Sequence, residues 1–226
     1  MKDALYIIAR APRVGFAKTR LGRGIGHERA VALYGAFLKD LARRFSGGPF
    51  PLGWYVTPPE GWAEIRALVG ESERVIPQGP GDLTRRQRDL FLGAAARGEG
   101  SLVLVAADSP QLSVETVGEA FRLLRRHDVV VGPTFDGGYY LIGMKEPHDV
   151  LEGEMSTGDE LRDLVVRAEL AGLSVGILEA TFDVDVAEDL PQLVEAAFER
   201  DDLPATREAL ERLGLAGDVL DPGRRA

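Results

Sequence analysis

Short apolar runs recur along this chain at 5–9, 52–57, 101–107, 128–133, 139–143 and 174–178, with a weaker one at 74–77. Most show no alternation of apolar and polar residues, the pattern of strands covered on both faces. Helical spacing fills most of the intervals. Leu33, Phe37 and Leu41 repeat at i, i+4 and i+8, with Tyr34, Leu38 and Phe45 on the adjoining stripe. Further helices are expected at 59–69, 83–97, 114–126, 159–171, 187–199 and 206–213. Ser113 is placed to cap the helix at 114, and Glu115 lies in its first turn. Strands alternating with helices define an α/β fold with a mostly parallel sheet and helices on both faces. One connection departs from that rule. Only residues 134–138 separate the runs at 128–133 and 139–143. A parallel crossover needs about a dozen residues or more, so a hairpin is expected there and the sheet is mixed. Without a repeat or a Pro/Ser-rich linker, residues 1–216 read as one domain and 217–226 as a frayed polar tail.

Composition narrows the chemistry. The chain has no cysteine, which excludes a thiolate nucleophile, disulfides and Cys-ligated metals. No apolar stretch approaches the length of a membrane span. The first residues read as a strand, not a signal peptide, which makes the cytoplasm the expected location. A formal charge of -9 argues against non-specific binding to nucleic acid or anionic membranes.

Within this acidic chain, residues 9–27 hold Arg10, Arg13, Lys18, Arg20 and Arg23 and no acid. The segment lies between the first strand and a long helix. Free backbone N–H groups and the helix dipole favour an anion at such a place, so a phosphate ligand is expected. The loop is not a Walker A motif, because Ala17 stands where that motif has Gly before Lys-Thr. It is not a dinucleotide fingerprint either, since Gly22, Gly24 and Gly26 alternate and His27 takes the place of the last glycine. Lys18 is one of only four lysines against 23 arginines, and a compact point charge suits phosphate there.

Acids recur at strand ends. Asp108 follows the strand at 101–107 and would face the ligand crevice of an α/β sheet. Asp183 and Asp185 in Phe-Asp-Val-Asp project the same way if the segment is extended. A divalent ion between Asp108 and that pair would meet phosphates held by the cationic loop, and Mg²⁺ favours one or two carboxylates with phosphate oxygens. Asp136-Gly137-Gly138 reads equally as a hairpin turn and as a site where backbone approaches a ligand. Gly81-Asp82 enters a helix, either closing over a base or sugar or simply capping the helix through Asp82. His27, His127 and His148 show no metal-ligand spacing, and no Gly-x-Ser-x-Gly elbow is present.

The motifs at 11–21, 81–83, 108–110, 132–143, 156–157 and 183–185 occur in the order of a known family. With them the chain resembles a bacterial family of largely unassigned function with the A-type glycosyltransferase (GT-A) fold, the Rossmann-like nucleotide-diphospho-sugar transferase fold. That family is similar to 2-phospho-L-lactate guanylyltransferase and to the molybdenum-cofactor guanylyltransferases. The resemblance implies Mg²⁺ or Mn²⁺ on Asp108, Asp183 and Asp185 and a phosphate grip by Lys18, Thr19 and Arg20; with the residue reading, Lys18, Asp108 and Asp136 are the expected catalytic residues. Nucleotide and phosphate contacts are expected from Arg10, Pro12, Gly15, Lys18, Thr19, Arg20, Gly81, Asp82, Ser109, Gly137 and Gly138. Two reactions fit: nucleotidyl transfer from an NTP to a small phosphorylated acceptor, and glycosyl transfer from a nucleotide-sugar with Asp136 as base. Five cations in one loop favour the triphosphate. A nucleotide-binding protein without catalysis is a third reading, and a homodimer is compatible with the sequence.

Overall fold

The computed structural model describes residues 3–72, 74–152 and 158–217. Within them seven strands form one sheet: β1 (Ala4–Arg10), β2 (Leu52–Thr57), β3 (Val75–Pro77), β4 (Leu102–Ala106), β5 (Val129–Pro133), β6 (Tyr139–Met144) and β7 (Val175–Ile177). Their order is β3-β2-β1-β4-β6-β5-β7. Only β6 is antiparallel to its neighbours, as the short 134–138 connection requires. The other six strands therefore point one way, and the loops that follow them open on one rim.

Among the described residues, eight α-helices cover the sheet: α1 (Thr19–Ile25), α2 (His27–Phe45), α3 (Trp62–Val69), α4 (Leu83–Ala96), α5 (Val114–Leu124), α6 (Glu160–Leu170), α7 (Leu190–Glu199) and α8 (Pro204–Arg212). The core divides at the sheet. Leu5 and Ile7 of β1 face the larger cluster with Leu33, Phe37 and Leu41 of α2, whereas Ala4 and Tyr6 face α4 and α6 with Leu90, Phe91 and Leu164. Each fully buried Leu, Ile or Phe in these layers contributes about 1.5–3 kcal/mol over an exposed one.

Two departures from the sequence reading bear on the site. The second half of the cationic segment is helical (α1), and its glycines serve packing. A Cβ on Gly22 would lie 2.3 Å from His27 Nδ1, and one on Gly24 would lie 2.6 Å from Ala187 Cβ. The segment at 187–199 begins as a 3₁₀ turn, Ala187–Asp189, before α7 starts with Pro191 in its first turn. The N-cap at Ser113 is present, its hydroxyl accepting from Thr116 N at 3.0 Å. Asp40 on α2 is buried and caps a different helix, accepting from Ala205 N at 3.0 Å and Thr206 N at 2.8 Å at the start of α8. Residues 218–226 of the expected tail lie outside the described residues.

Candidate active site

The chain runs from β1 to β2 and β3 on one side, then returns to place β4 on the other side of β1. The gap above β1 and β4 is thus the switch point where open α/β sheets bind ligands. Lys18 enters it from β1 and Asp108 from β4. Lys18 is the N-cap of α1 with φ 48 and ψ 44, the one non-glycine residue at positive φ among the described residues. A left-handed lysine is a strained backbone of the kind found at functional sites. Its side chain is 6% exposed, and Nζ donates to Asp108 Oδ2 at 2.9 Å and Asp185 Oδ1 at 2.8 Å. Arg20, in the first turn of α1, reaches Asp185 Oδ2 at 3.1 Å.

The segment beyond β7 follows the edge of β5: Thr181 N donates to Pro133 O at 3.0 Å, and Phe135 N donates to Thr181 O at 3.2 Å. Val184 N then donates to Asp108 O at 3.0 Å, which lays Asp183 and Asp185 against the end of β4. Asp189 Oδ2 accepts from the backbone N–H groups of Asp185 and Val186 at 2.7 and 2.8 Å and fixes the following turn. One carboxylate oxygen from each of Asp108, Asp183 and Asp185 lies within 4.8 Å of the others. Asp136 builds the hairpin turn and lies close enough to the acids to act on one of them. Its Oδ1 accepts from Thr134 Oγ1 at 2.6 Å and Gly138 N at 3.2 Å, which shapes the hairpin, and its charge acts on Asp183.

These charges do not balance evenly. Burial, then Asp108, Asp185 and Asp136, push the Asp183 carboxyl up to about 7, with Lys18 opposing. Burial also disfavours the Asp185 carboxylate, but Lys18, Arg20 and Arg10 outweigh it and hold its pKa below the ordinary value. Burial would lower the Lys18 ammonium; the charges and hydrogen bonds of Asp108 and Asp185 reverse that and raise it. Asp183 is therefore the carboxylate without a counter-charge of its own.

Not every candidate joins this cluster. Arg13 turns away to Glu64 at 2.8 Å and Glu60 at 3.4 Å beside α3. Arg23 lies in the last turn of α1. The cations acting on the acids are thus Lys18, Arg20 and Arg10, not all five. Pro12 lines a groove between α2, α3 and α8. Gly15 turns the loop at φ 75, and Thr19 opens α1. Gly81 and Asp82 lie on the same rim after β3, where Asp82 caps α4 by accepting from Arg85 N at 2.8 Å. Ser109 is fully buried beside Asp108, and its hydroxyl has no hydrogen-bond partner. Gly137 sits at φ 93, where a Cβ would meet Gly158 O at 2.0 Å, and the hairpin can approach that loop only as glycine. The Ser156-Thr157 motif lies outside the described residues.

Sequence reading assigned Tyr34 to the helix stripe alone. Its hydroxyl accepts from Arg10 N at 3.0 Å and so supports the start of the cationic loop. Tyrosine on an otherwise apolar stripe is the signal, because a buried phenol seeks a partner.

Over 182 residues, 76% of this chain and 82% of the relative, the sequence is 32% identical to the 3-phospho-D-glycerate guanylyltransferase of Phenylobacterium zucineum (strain HLK1). The chain belongs to the family of that guanylyltransferase. Residues 49–157 also match a family model described as an uncharacterized protein conserved in bacteria (DUF2064). The crystal structure of a protein from Desulfovibrio desulfuricans G20, classed as a nucleotide-diphospho-sugar transferase, superposes with a TM-score of 0.83 at 28% identity. That match covers 94% of this chain and 97% of the other. A cytidylyltransferase from Leptospira borgpetersenii shares the fold at 17% identity, with a TM-score of 0.57 over 95% of this chain and 94% of the other. The guanylyltransferase family and the switch-point cleft thus coincide in one α/β domain of the expected class. No helix among the described residues is long and apolar enough to cross a membrane.

Proposed function

We propose that the chain is a nucleotidyltransferase that moves a nucleoside monophosphate unit from an NTP to a small phosphorylated acceptor and releases pyrophosphate. The observation that carries this reading is the contact of Lys18 with both Asp108 and Asp185, residues 90 and 167 positions further along the chain. The donor is GTP and the acceptor a phosphorylated small carboxylic acid, following the substrate named for the Phenylobacterium relative.

Asp108, Asp183 and Asp185 offer hard oxygen donors from two loops, and Asp183 is a carboxylate lacking compensation. That donor set fits Mg²⁺ or Mn²⁺, with phosphate oxygens and water completing the shell. When bound, such an ion supplies charge neutralisation at the reacting phosphate. An oxygen of the acceptor phosphate bonds to the α-phosphorus while the bond from that phosphorus to the β-phosphate bridging oxygen breaks. The electron pair departs with pyrophosphate. The nucleophile is already ionised, so no side chain need take a proton from it. Lys18 exchanges carboxylate for phosphate oxygen, and with Arg20 and Arg10 it faces the leaving group.

Four aspartates against three facing cations leave this cleft unattractive to a nucleotide alone, so GTP should bind together with the divalent ion. Glycosyl transfer is the second reading, supported by the class of the Desulfovibrio protein, and would use Asp136 as base. The test is a pyrophosphate-release assay with GTP, 3-phospho-D-glycerate and Mg²⁺ or Mn²⁺, beside thermal melts with NTPs and nucleotide-sugars. Release that requires acceptor and metal together is the expected result. Stabilisation by GDP- or UDP-sugars alone, without pyrophosphate release, would overturn it.

A further inference from the structure

We infer that Gln111 is a positioning residue that sets the spacing of the three metal-binding carboxylates; this rests on the reading of Asp108, Asp183 and Asp185 as a metal site. The three acids come from two loops with no covalent connection near the site. One backbone hydrogen bond, Val184 N to Asp108 O, joins them directly. Lys18 bridges their carboxylates, and a second side-chain link, made to the backbone of the loops, is Gln111, whose Nε2 donates to Thr181 Oγ1 at 3.1 Å and to Phe182 O. The carbonyl of Phe182 can only accept, so the amide must present its nitrogen there. Phe182 immediately precedes Asp183, and Gln111 lies three residues after Asp108.

Thr181 is also the point where the hairpin bearing Asp136 attaches, through Phe135 N. The loops carrying all four acids thus converge on the pair Thr181–Phe182, and Gln111 ties that pair to the end of β4. Arg44 braces the same loop from behind, donating to Leu112 O at 2.8 Å and to Pro110 O. The amide is costly where it sits. Gln111 is 6% exposed, and its Oε1 has no hydrogen-bond partner among the described residues. An unsatisfied buried acceptor costs about 1–3 kcal/mol, whereas an apolar side chain of similar shape would avoid the loss. A polar group kept at that cost, and aimed at the residue before a ligand, acts on the ligand's position. Residues that orient ligands in this way change metal affinity about 10–100-fold when replaced.

Gln111→Met keeps the volume and removes both hydrogen bonds. Mn²⁺ binding, followed by the EPR signal of the free ion and by the enhancement of water proton relaxation, is measured on the whole protein with and without GTP. The expected result is a dissociation constant about tenfold higher in Gln111→Met, with a melting temperature close to that of the wild type, since the relieved Oε1 offsets the two hydrogen bonds lost. Asp40→Asn, which weakens the cap of α8 on α2, serves as a control that lowers the melting temperature and leaves Mn²⁺ affinity unchanged. A folded Gln111→Met that binds Mn²⁺ as the wild type does would overturn the clamp alone. A wild-type protein that holds no Mn²⁺ would overturn the metal reading and the clamp with it.

Discussion

At Lys18 a left-handed backbone and a buried ammonium meet in one residue, and each explains the other. The turn needed to carry the side chain back over β4 requires positive φ, which glycine would satisfy with less strain; glycine could not supply the charge. Lys18→Met should therefore raise the apparent GTP constant about tenfold or more, as expected for loss of a hydrogen bond to a charged group, with Mn²⁺ held saturating in steady-state assays. Asp183 makes a different prediction. Its folded pKa of about 7 lies above the ordinary carboxylate range, so the folded chain keeps a proton that the unfolded chain has released. Between about pH 4 and about pH 7 its contribution to stability falls as pH rises, and the full penalty is present above that window. Metal-free Asp183→Asn should melt higher than wild type at about pH 8, and the advantage should shrink towards about pH 5. An equal offset at both pH values would count against the electrostatic account.

The elements place these side chains through close approaches more than through long-range order. α1 docks on the 187–189 turn at Gly24, and that contact sets how far Lys18 and Arg20 lie from Asp185. Gly24→Ala should push the two apart and reduce kcat/KM about a hundredfold, the scale of a misplacement near 1 Å, with a smaller effect on thermal stability. α8 depends on a residue of α2, and loss of the Asp40 carboxylate in Asp40→Ala should cost about 2 kcal/mol or more in a denaturant melt. The strands were legible in the sequence because uninterrupted apolar runs of their length have few alternatives in an alternating chain. The hairpin was legible because five residues cannot make a crossover. α1 was not, since its seven residues include two glycines and a single apolar pair at i and i+4, Leu21 and Ile25. The convergence of Lys18 with Asp108 and the Asp183–Asp185 pair followed from strand ends sharing one rim. The loss of Arg13 from that group did not, because its partners lie on another element 47 and 51 residues away. Gln111 was hidden for the same reason: its partner at 181 is visible only once β5 and the segment after β7 are side by side.

Across the molecule, one antiparallel strand in seven leaves six sharing a direction, and the acids and cations of the cleft are drawn from loops between Arg10 and Asp185. No short fragment contains the cleft. The catalytic competence of this protein should then be lost in the same cooperative step as its fold, with pyrophosphate release and far-UV circular dichroism falling together in urea. The rim opposite the cleft carries the turns at Gly47, Gly98 and Gly172, each at positive φ and remote in connectivity from the acids. Added length there should be nearly neutral: a short Gly/Ser insertion between Gly47 and Gly48 is expected to leave kcat and the Mn²⁺ constant within about twofold of wild type, since loop closure grows only slowly with length. The six-strand alignment therefore divides the protein's tolerance for change in two, one border on which tenths of an ångström matter and another open to insertion, labelling or fusion.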